Sequence, residues 1–526
     1  VPRRALPWLV LGVVALAWGY HDLLSSYFLR DDFMWLFDAE TQLARPIEFL
    51  TTRPSGYFRP FANMIFGLER VAFGLDPRGY FVVNILLHGW NALWLAILVR
   101  AFGGSFRFAG AAGLIAVSLT AAAPGVVWIS GLVSVLAVAM ILPALFFYHA
   151  GLLDGRRGDF ALSLMCVVLA VCSRESGVLA GLGILVLEVR HAHGRVWTLV
   201  KSRGFWTRLL PFAVAGSVYV ALQLNFLQVG AGTRTELGSP LAYVGNVVTS
   251  LPALLRPEKW RLWFSLPGGL AVLLGAALLL GVFRGRRGLV LCATLFGLLL
   301  FAFLPTYPLL SDSVVMANRY RYEASFVAAL IVAAGFDALF AGPRFARPLA
   351  WLGVRRALAG AALIVFTTAQ LEALPRFVQD DTRFAAYADA TRLMSEQLEQ
   401  HFGEQLRAAH QDPVLGDVKI ALVGVPVENL RHLRCQLGVW YEVPFERVND
   451  VRFDLTDAGV RQKLATQRAG LVKEVTGCDE VWVWSSAGLV RAAAPLPAMR
   501  KNWRRPGQKA ERSFVQVLTL PRLEAR

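Results

Sequence analysis

Apolar runs of about 20 residues recur along this chain from its N-terminus to roughly residue 374, each closed by a short polar loop. A bilayer core ~30 Å thick takes ~20 apolar residues as a helix, and one soluble core could not hide so many such runs. A composition that is 56% hydrophobic and 17% charged over 526 residues fits the same reading. An α-helical polytopic membrane protein is therefore expected over residues 1–375, followed by a soluble region at 376–526. A formal net charge of +16 would point to nucleic acid in a soluble protein. Here the arginines sit in short loops between apolar runs, which is a topology signal and excludes a nucleic-acid partner.

With Pro2-Arg3-Arg4 on the cytoplasmic side, the first span covers about 6–24 and delivers a first external loop at 25–79. Further spans are expected at about 80–101, 108–124, 126–150, 160–173, 176–190, 208–228, 266–283, 289–305, 323–341 and 357–374. That makes about 11 transmembrane helices and leaves the C-terminal region outside. Arg100 with Arg107, Arg156 with Arg157, Arg190 through Arg208, Arg284 through Arg287 and Arg344 through Arg356 then all fall on the cytoplasmic side, as the positive-inside rule requires. The spans at 160–173 and 176–190 are short enough to be half-helices meeting at depth, or one kinked hairpin.

From 376 the pattern changes. An amphipathic helical period covers about 382–402, and strand-like runs follow at 418–423, 480–484 and 514–518, so a small C-terminal extracytoplasmic α/β domain is expected. Cys166, Cys172 and Cys292 lie in apolar segments as packing residues; Cys435 and Cys478 could form one disulfide outside the cell or remain two separate thiols. No His or Cys spacing suits a preformed metal site.

The expected external loops carry the polar residues that composition does not require. Asp31 and Asp32 are adjacent carboxylates just beyond the first span, and they are the candidate active site. An Asp-Asp pair in a loop is also an ordinary solvated turn or helix N-cap. The segment Leu255-Arg256-Pro257-Glu258-Lys259-Trp260 in loop 229–265 suits the headgroup layer, with or without a ligand. Glu175 beside Arg174 reads either as a site residue or as a neutralised pair in a tight turn. His88 falls inside a helix, with Asn84 one turn earlier on the same face, and both could simply bond neighbouring helices.

Tyr57-Phe58-Arg59-Pro60, Phe73-Gly74-Leu75-Asp76-Pro77-Arg78-Gly79-Tyr80 and Asn84-Ile85-Leu86-Leu87-His88, downstream of Asp31-Asp32, resemble the multi-pass glycosyltransferases of the GT-C fold. Within that class the pattern is most similar to the transmembrane O-mannosyltransferase type with tetratricopeptide tails and its bacterial relatives. Trp128-Ile129-Ser130-Gly131, Ser173-Arg174-Glu175-Ser176 and Arg319-Tyr320-Arg321-Tyr322 echo further motifs of that type, over roughly residues 1–375. The repeat tail is replaced by another domain, and Phe81 stands where a His is usual. Val1-Pro2-Arg3-Arg4 with Ala15-Leu16-Ala17 also looks like a cleavable signal, but the resemblance implies that this segment is retained as the first helix.

The resemblance implies transfer of a hexosyl or pentosyl group, with inversion, from a polyprenyl-phosphate donor to a protein or envelope-glycan acceptor on the outer face of the membrane. Such a reaction needs a carboxylate as general base, the role given to Asp31, with Asp32 orienting the acceptor or holding a divalent cation. It also needs cations for the lipid phosphate, for which Arg319, Arg321, Arg256, Arg174 and Arg59 stand on the expected outer side; Glu175, Asn84, His88 and Tyr320 are candidate supports. A flippase for a lipid-linked glycan and a non-catalytic envelope assembly protein are the competing readings. The Ala-, Leu-, Gly- and Arg-rich composition suggests a bacterial inner membrane, with the N-terminus cytoplasmic and the C-terminal domain periplasmic.

Overall fold

A computed structural model describes residues 3–29, 31–45, 47, 58–193, 195–226, 275, 294, 322–341, 349–380, 384–411, 417–423, 448–453, 480–485, 488–491 and 513–521. Its helices are α1 (Leu6–Tyr20), α2 (Asp31–Ala44), α3 (Pro60–Phe73), α4 (Pro77–Ala101), α5 (Phe106–Ser118), α6 (Ala123–Val127) and α7 (Leu132–Asp154). They continue as α8 (Arg157–Ser173), α9 (Leu179–His191), α10 (Val196–Val200), α11 (Arg203–Phe226), α12 (Tyr322–Ala341), α13 (Leu349–Asp380) and α14 (Phe384–Gln411). Five strands follow: β1 (Asp417–Val423), β2 (Val448–Phe453), β3 (Glu480–Ser485), β4 (Gly488–Arg491) and β5 (Ser513–Pro521).

The chain divides into two compact units, one of residues 1–25 and 45–381, the other of residues 26–44 and 382–526. The first is all-helical among the described residues. Six of its helices are long and apolar enough to cross a membrane, or up to seven if the bent pair of α5 with the turn and helix after it is one span. The expected count of about 11 is not reached among the described residues; the spans expected at 266–283 and 289–305 lie outside them except for residues 275 and 294. Helix α8, with 17 residues, and α9, with 13, are too short to qualify singly.

Local chemistry sets the helix ends. Asp76 accepts the Arg78 N–H at 3.0 Å and Pro77 follows it, so α4 starts with a capped, φ-restricted first turn. Ser105 caps α5 through the Phe108 N–H at 3.0 Å and donates to Asp337 of α12 at 2.6 Å. Gly155, at φ +65°, closes α7 in the left-handed conformation. The centre of the unit is α7, with α4, α8 and α9 packed on it, and α12 packs on α5 and α13. Helices α7 and α12 are the most fully buried of the apolar helices, so these two are the core of the bundle.

One span is broken. After Ser118 the chain bends by 54° into the segment Thr120–Val127. In lipid the carbonyls freed by such a break need donors. At the bend His88 Nε2 lies 3.4 Å from Val117 O, and at the far end of the segment the Asn84 side-chain amide donates to Val126 O at 3.2 Å and Trp128 O at 3.1 Å. Where spans are expected at 108–124 and 126–150, the structure has a bend after Ser118 and a segment, Thr120–Val127, whose far end α4 holds through Asn84.

The second unit joins α2 and α14 to a mixed sheet of order β2-β5-β1-β3-β4. Strands β1 and β3 are parallel and the other neighbours antiparallel. Helix α14 packs on β5 and β4, and it buries Met394, Leu398, Phe402 and Leu406 along one face at i, i+4 spacing. Tyr27, ahead of α2, is hydrogen-bonded to Ser395 of α14, and burial lifts its hydroxyl to about 12.

Candidate functional site

Two groups of residues carry the chemistry, one in each unit. In the unit of residues 26–44 and 382–526, the chain turns at Leu29 and enters α2 at Asp31. The Asp32 N–H bonds Leu29 O at 2.7 Å while the Asp32 carboxylate accepts the Leu29 N–H at 2.8 Å. This reciprocal pair closes the turn just ahead of the helix, and Asp32 is only 1% exposed. Phe28, Leu29, Phe33 and Leu36 are buried around it. The two carboxylates are thus unequal: Asp32 fixes the helix start, and Asp31 is the first residue of the helix.

In the other unit the turn Ser173-Arg174-Glu175-Ser176 is a junction of ion pairs. Arg174 is extended, at φ −162° and ψ 152°, between α8 and a short 3₁₀ turn, so successive side chains leave on opposite sides. A Cβ at Gly177 would collide with the Ala170 backbone, which is why the turn can close so tightly. Arg174 reaches inward, donating to Glu323 in the first turn of α12 at 2.7 Å and to Ser134 of α7. Ser176 donates to the same Glu323 oxygen at 2.7 Å. Glu175 points the other way and takes Arg59 in a two-bond fork, Nε to Oε1 at 3.0 Å and Nη2 to Oε2 at 2.8 Å. Burial by itself would raise the Glu175 carboxyl, but Arg59, with Arg174 nearby, outweighs it and holds the group below the usual carboxylate range.

The inner pair is nearly sealed, with side-chain exposures of 8% and 5% for Arg174 and Glu323. The outer pair is more open, at 13% for Arg59 and 29% for Glu175. Two arginines face two glutamates, so these four side chains are balanced in formal charge. Arg59 is also placed by its neighbour: the Phe58 N–H donates to Gln223 of α11 at 3.0 Å, and the Phe58 ring packs with Val171 and Tyr219.

His88 is fully buried. Its Nδ1 lies 2.9 Å from the Tyr322 hydroxyl, which Asn91 also bonds at 3.0 Å, while Asn91 reaches Val135 O at 2.9 Å. Tyr322 and Glu323 therefore fasten the start of α12 to α4 and to the α8–α9 turn together. Reading the sequence missed Glu323 and Ser134. Glu323 was visible as the acid that follows Arg-Tyr-Arg-Tyr, but nothing local marks Ser134. It also missed Glu188, which takes Arg208 at 2.7 and 2.8 Å and Tyr148 at 2.6 Å. Tyr148 is 14 residues beyond Ser134 on α7, or about 21 Å along the helix, so this second clamp sits at the far end.

Arg256, Arg319, Tyr320 and Arg321 lie outside the described residues. Among the described residues no three His, Cys, Asp or Glu side chains are grouped so as to hold a metal ion.

No family model and no curated protein matches the sequence. Solved structures do. The crystal structure of ArnT from Cupriavidus metallidurans in the apo state superposes with a TM-score of 0.52 at 17% identity, over 97% of this chain and 98% of that chain. The chain has the GT-C fold. A second ArnT structure from that organism, bound to undecaprenyl phosphate, gives a TM-score of 0.47 at 15% identity. With the GT-C fold and its apolar helices, this is a multi-pass membrane protein. Identity this low carries the fold and not the O-mannosyltransferase type that the motifs resemble.

Proposed function

We propose that the chain is a membrane glycosyltransferase that moves a sugar from a polyprenyl-phosphate donor to a protein or envelope-glycan acceptor on the outer face of a bacterial inner membrane. The observation that carries this reading is the GT-C fold over 97% of the chain, with a carboxylate at the start of the helix that follows the first span. Asp31 is the general base. It takes the proton of the acceptor as that nucleophile attacks the anomeric carbon, and the polyprenyl phosphate leaves from the opposite face with inversion. Asp32 is a positioning residue, because its carboxylate is committed to the Leu29 N–H.

The leaving phosphate needs cationic donors. Arg174 is committed to Glu323, and Arg59 is shared with Glu175, so this balanced cluster supplies shape and one partly open guanidinium rather than surplus charge. In this reading Arg319, Arg321 and Arg256 carry the rest. His88 and Asn84 support the site from within the bundle, through Tyr322 and through the carbonyls of the broken span. Purified protein in detergent, given a panel of polyprenyl-phosphate hexoses and pentoses, is expected to release free polyprenyl phosphate only when acceptor is present. Movement of intact donor across vesicles without release of its sugar would replace the transferase by a flippase.

A further inference from the structure

The carboxylate assigned as the base begins a helix that belongs to the C-terminal unit. The chain leaves the helical bundle after Ser25, forms Tyr27, the turn at Leu29 and α2, and rejoins the bundle at Arg45. Phe33, Met34, Trp35, Leu36 and Ala39 of α2 are buried, so the helix is packed as part of that unit and is not a free loop.

A short path of contacts joins α14 to the start of α2. Ser395 is 4% exposed on the buried side of α14, beside Met394 and Leu398, and it is hydrogen-bonded to the Tyr27 side chain. The Tyr27 ring meets Phe28 nearly edge-on, with centroids 5.5 Å apart, and Phe28 meets Phe33 of α2 at 5.6 Å. Phe33 stands two residues beyond Asp31. Leu29, which follows Phe28, exchanges its two bonds with Asp32. Phe28, Leu29, Asp32 and Phe33 are at most 2% exposed, and groups packed this closely transmit a displacement instead of absorbing it. Behind Ser395, α14 lies on β4 and β5, so the sheet backs the anchor.

We propose that the C-terminal unit takes part in the chemical step: Ser395 and Tyr27 are positioning residues that hold the start of α2, and with it Asp31, at the place where the acceptor gives up its proton. The inference rests on the transferase reading, in which Asp31 is the base. A base has to lie within ~2.6–3.2 Å of the group it deprotonates. A displacement of ~1 Å caused by a substitution far from the chemistry can cost ~10²-fold in rate. A domain that only recognised the acceptor would act through affinity, whereas an anchor of this kind acts on turnover.

The test uses the full chain in detergent with Tyr27→Phe, Ser395→Ala, the two combined, and Ser395→Thr, each checked for its unfolding midpoint. Each single variant is expected to lower kcat by ~10-fold or more with KM for the polyprenyl-phosphate donor kept. The combined variant is expected to be no worse than either single one, and Ser395→Thr, which keeps the hydroxyl, to recover most of the rate. Backbone hydrogen exchange over residues 27–44 is expected to quicken several-fold in Tyr27→Phe and Ser395→Ala, with α4 and α7 unchanged. Wild-type kcat beside quickened exchange would overturn the positioning role, and unchanged exchange would overturn the anchor itself. A raised KM for the acceptor with kcat kept would also overturn the proposal, in favour of a domain that selects the acceptor. A wild type that transfers no sugar would remove the transferase reading and the role assigned to Asp31 with it, while the exchange rates still decide whether Ser395 holds α2.

Discussion

Glu69 offers the sharpest physical test of the fold. It sits on the buried face of α3, 5% exposed, and neither carboxylate oxygen has a partner among the described residues. Burial pushes its carboxyl up to about 8 from an ordinary 4.5. A folded-state value above the unfolded one means that the folded chain keeps its proton while the unfolded chain loses it. The contribution to stability is therefore whole below pH 4.5 and is lost as pH rises toward about 8. At 1.36 kcal/mol per unit, that span corresponds to ~5 kcal/mol, against a typical net stability of ~5–15 kcal/mol. Glu69→Gln keeps the shape and removes the titration. Unfolding of both proteins in the same detergent, followed at pH 5 and pH 8, is expected to show the variant gaining several kcal/mol on the wild type between the two. An equal gap at both pH values would refute the reasoning, because it would mean that the folded state holds the Glu69 anion as readily as the unfolded chain does.

Two further perturbations follow from the paired groups. Glu323→Gln leaves Arg174 buried without its counter-charge and is expected to cost ~3–5 kcal/mol, while the double variant Arg174→Met with Glu323→Leu recovers much of that loss; unfolding midpoints read both. Asp32→Ala removes the carboxylate bond to the Leu29 N–H and is expected to cost about 1 kcal/mol, whereas Asp32→Asn, which keeps an acceptor oxygen, costs less.

The six apolar helices long enough to cross a membrane among the described residues are legible in the sequence, because membrane helices satisfy their own backbone and each run reports itself without reference to its neighbours. The start of α4 is equally plain, since Asp76 and Pro77 act within one turn. Pairings across the bundle are not local in this sense. Arg174 and Glu175 are adjacent, yet their partners Glu323 and Arg59 lie 149 and 116 residues away, and the direction of each side chain follows from the extended backbone at Arg174. Asp31 and Asp32 look equivalent in the sequence until the bond to Leu29 separates them.

The same distinction applies to larger pieces. Residues 26–44 read as part of one external loop, but they cluster with the C-terminal unit, an association that no periodicity records. The strand-like runs at 418–423, 480–484 and 514–518 fall within β1, β3 and β5. Strand β2, which begins Val448-Asn449-Asp450, carries residues that disfavour strands and is formed by its pairing with β5.

The measurement that bears most directly on the proposed activity is sugar transfer by purified Asp31→Asn and Asp32→Asn beside the wild type, with folding checked for each. The expected result is transfer by the wild type, a loss of about 10²–10⁴-fold in Asp31→Asn as befits a missing general base, and substantial activity in Asp32→Asn. Wild-type turnover in Asp31→Asn, or a wild type that consumes no polyprenyl-phosphate sugar, would contradict it.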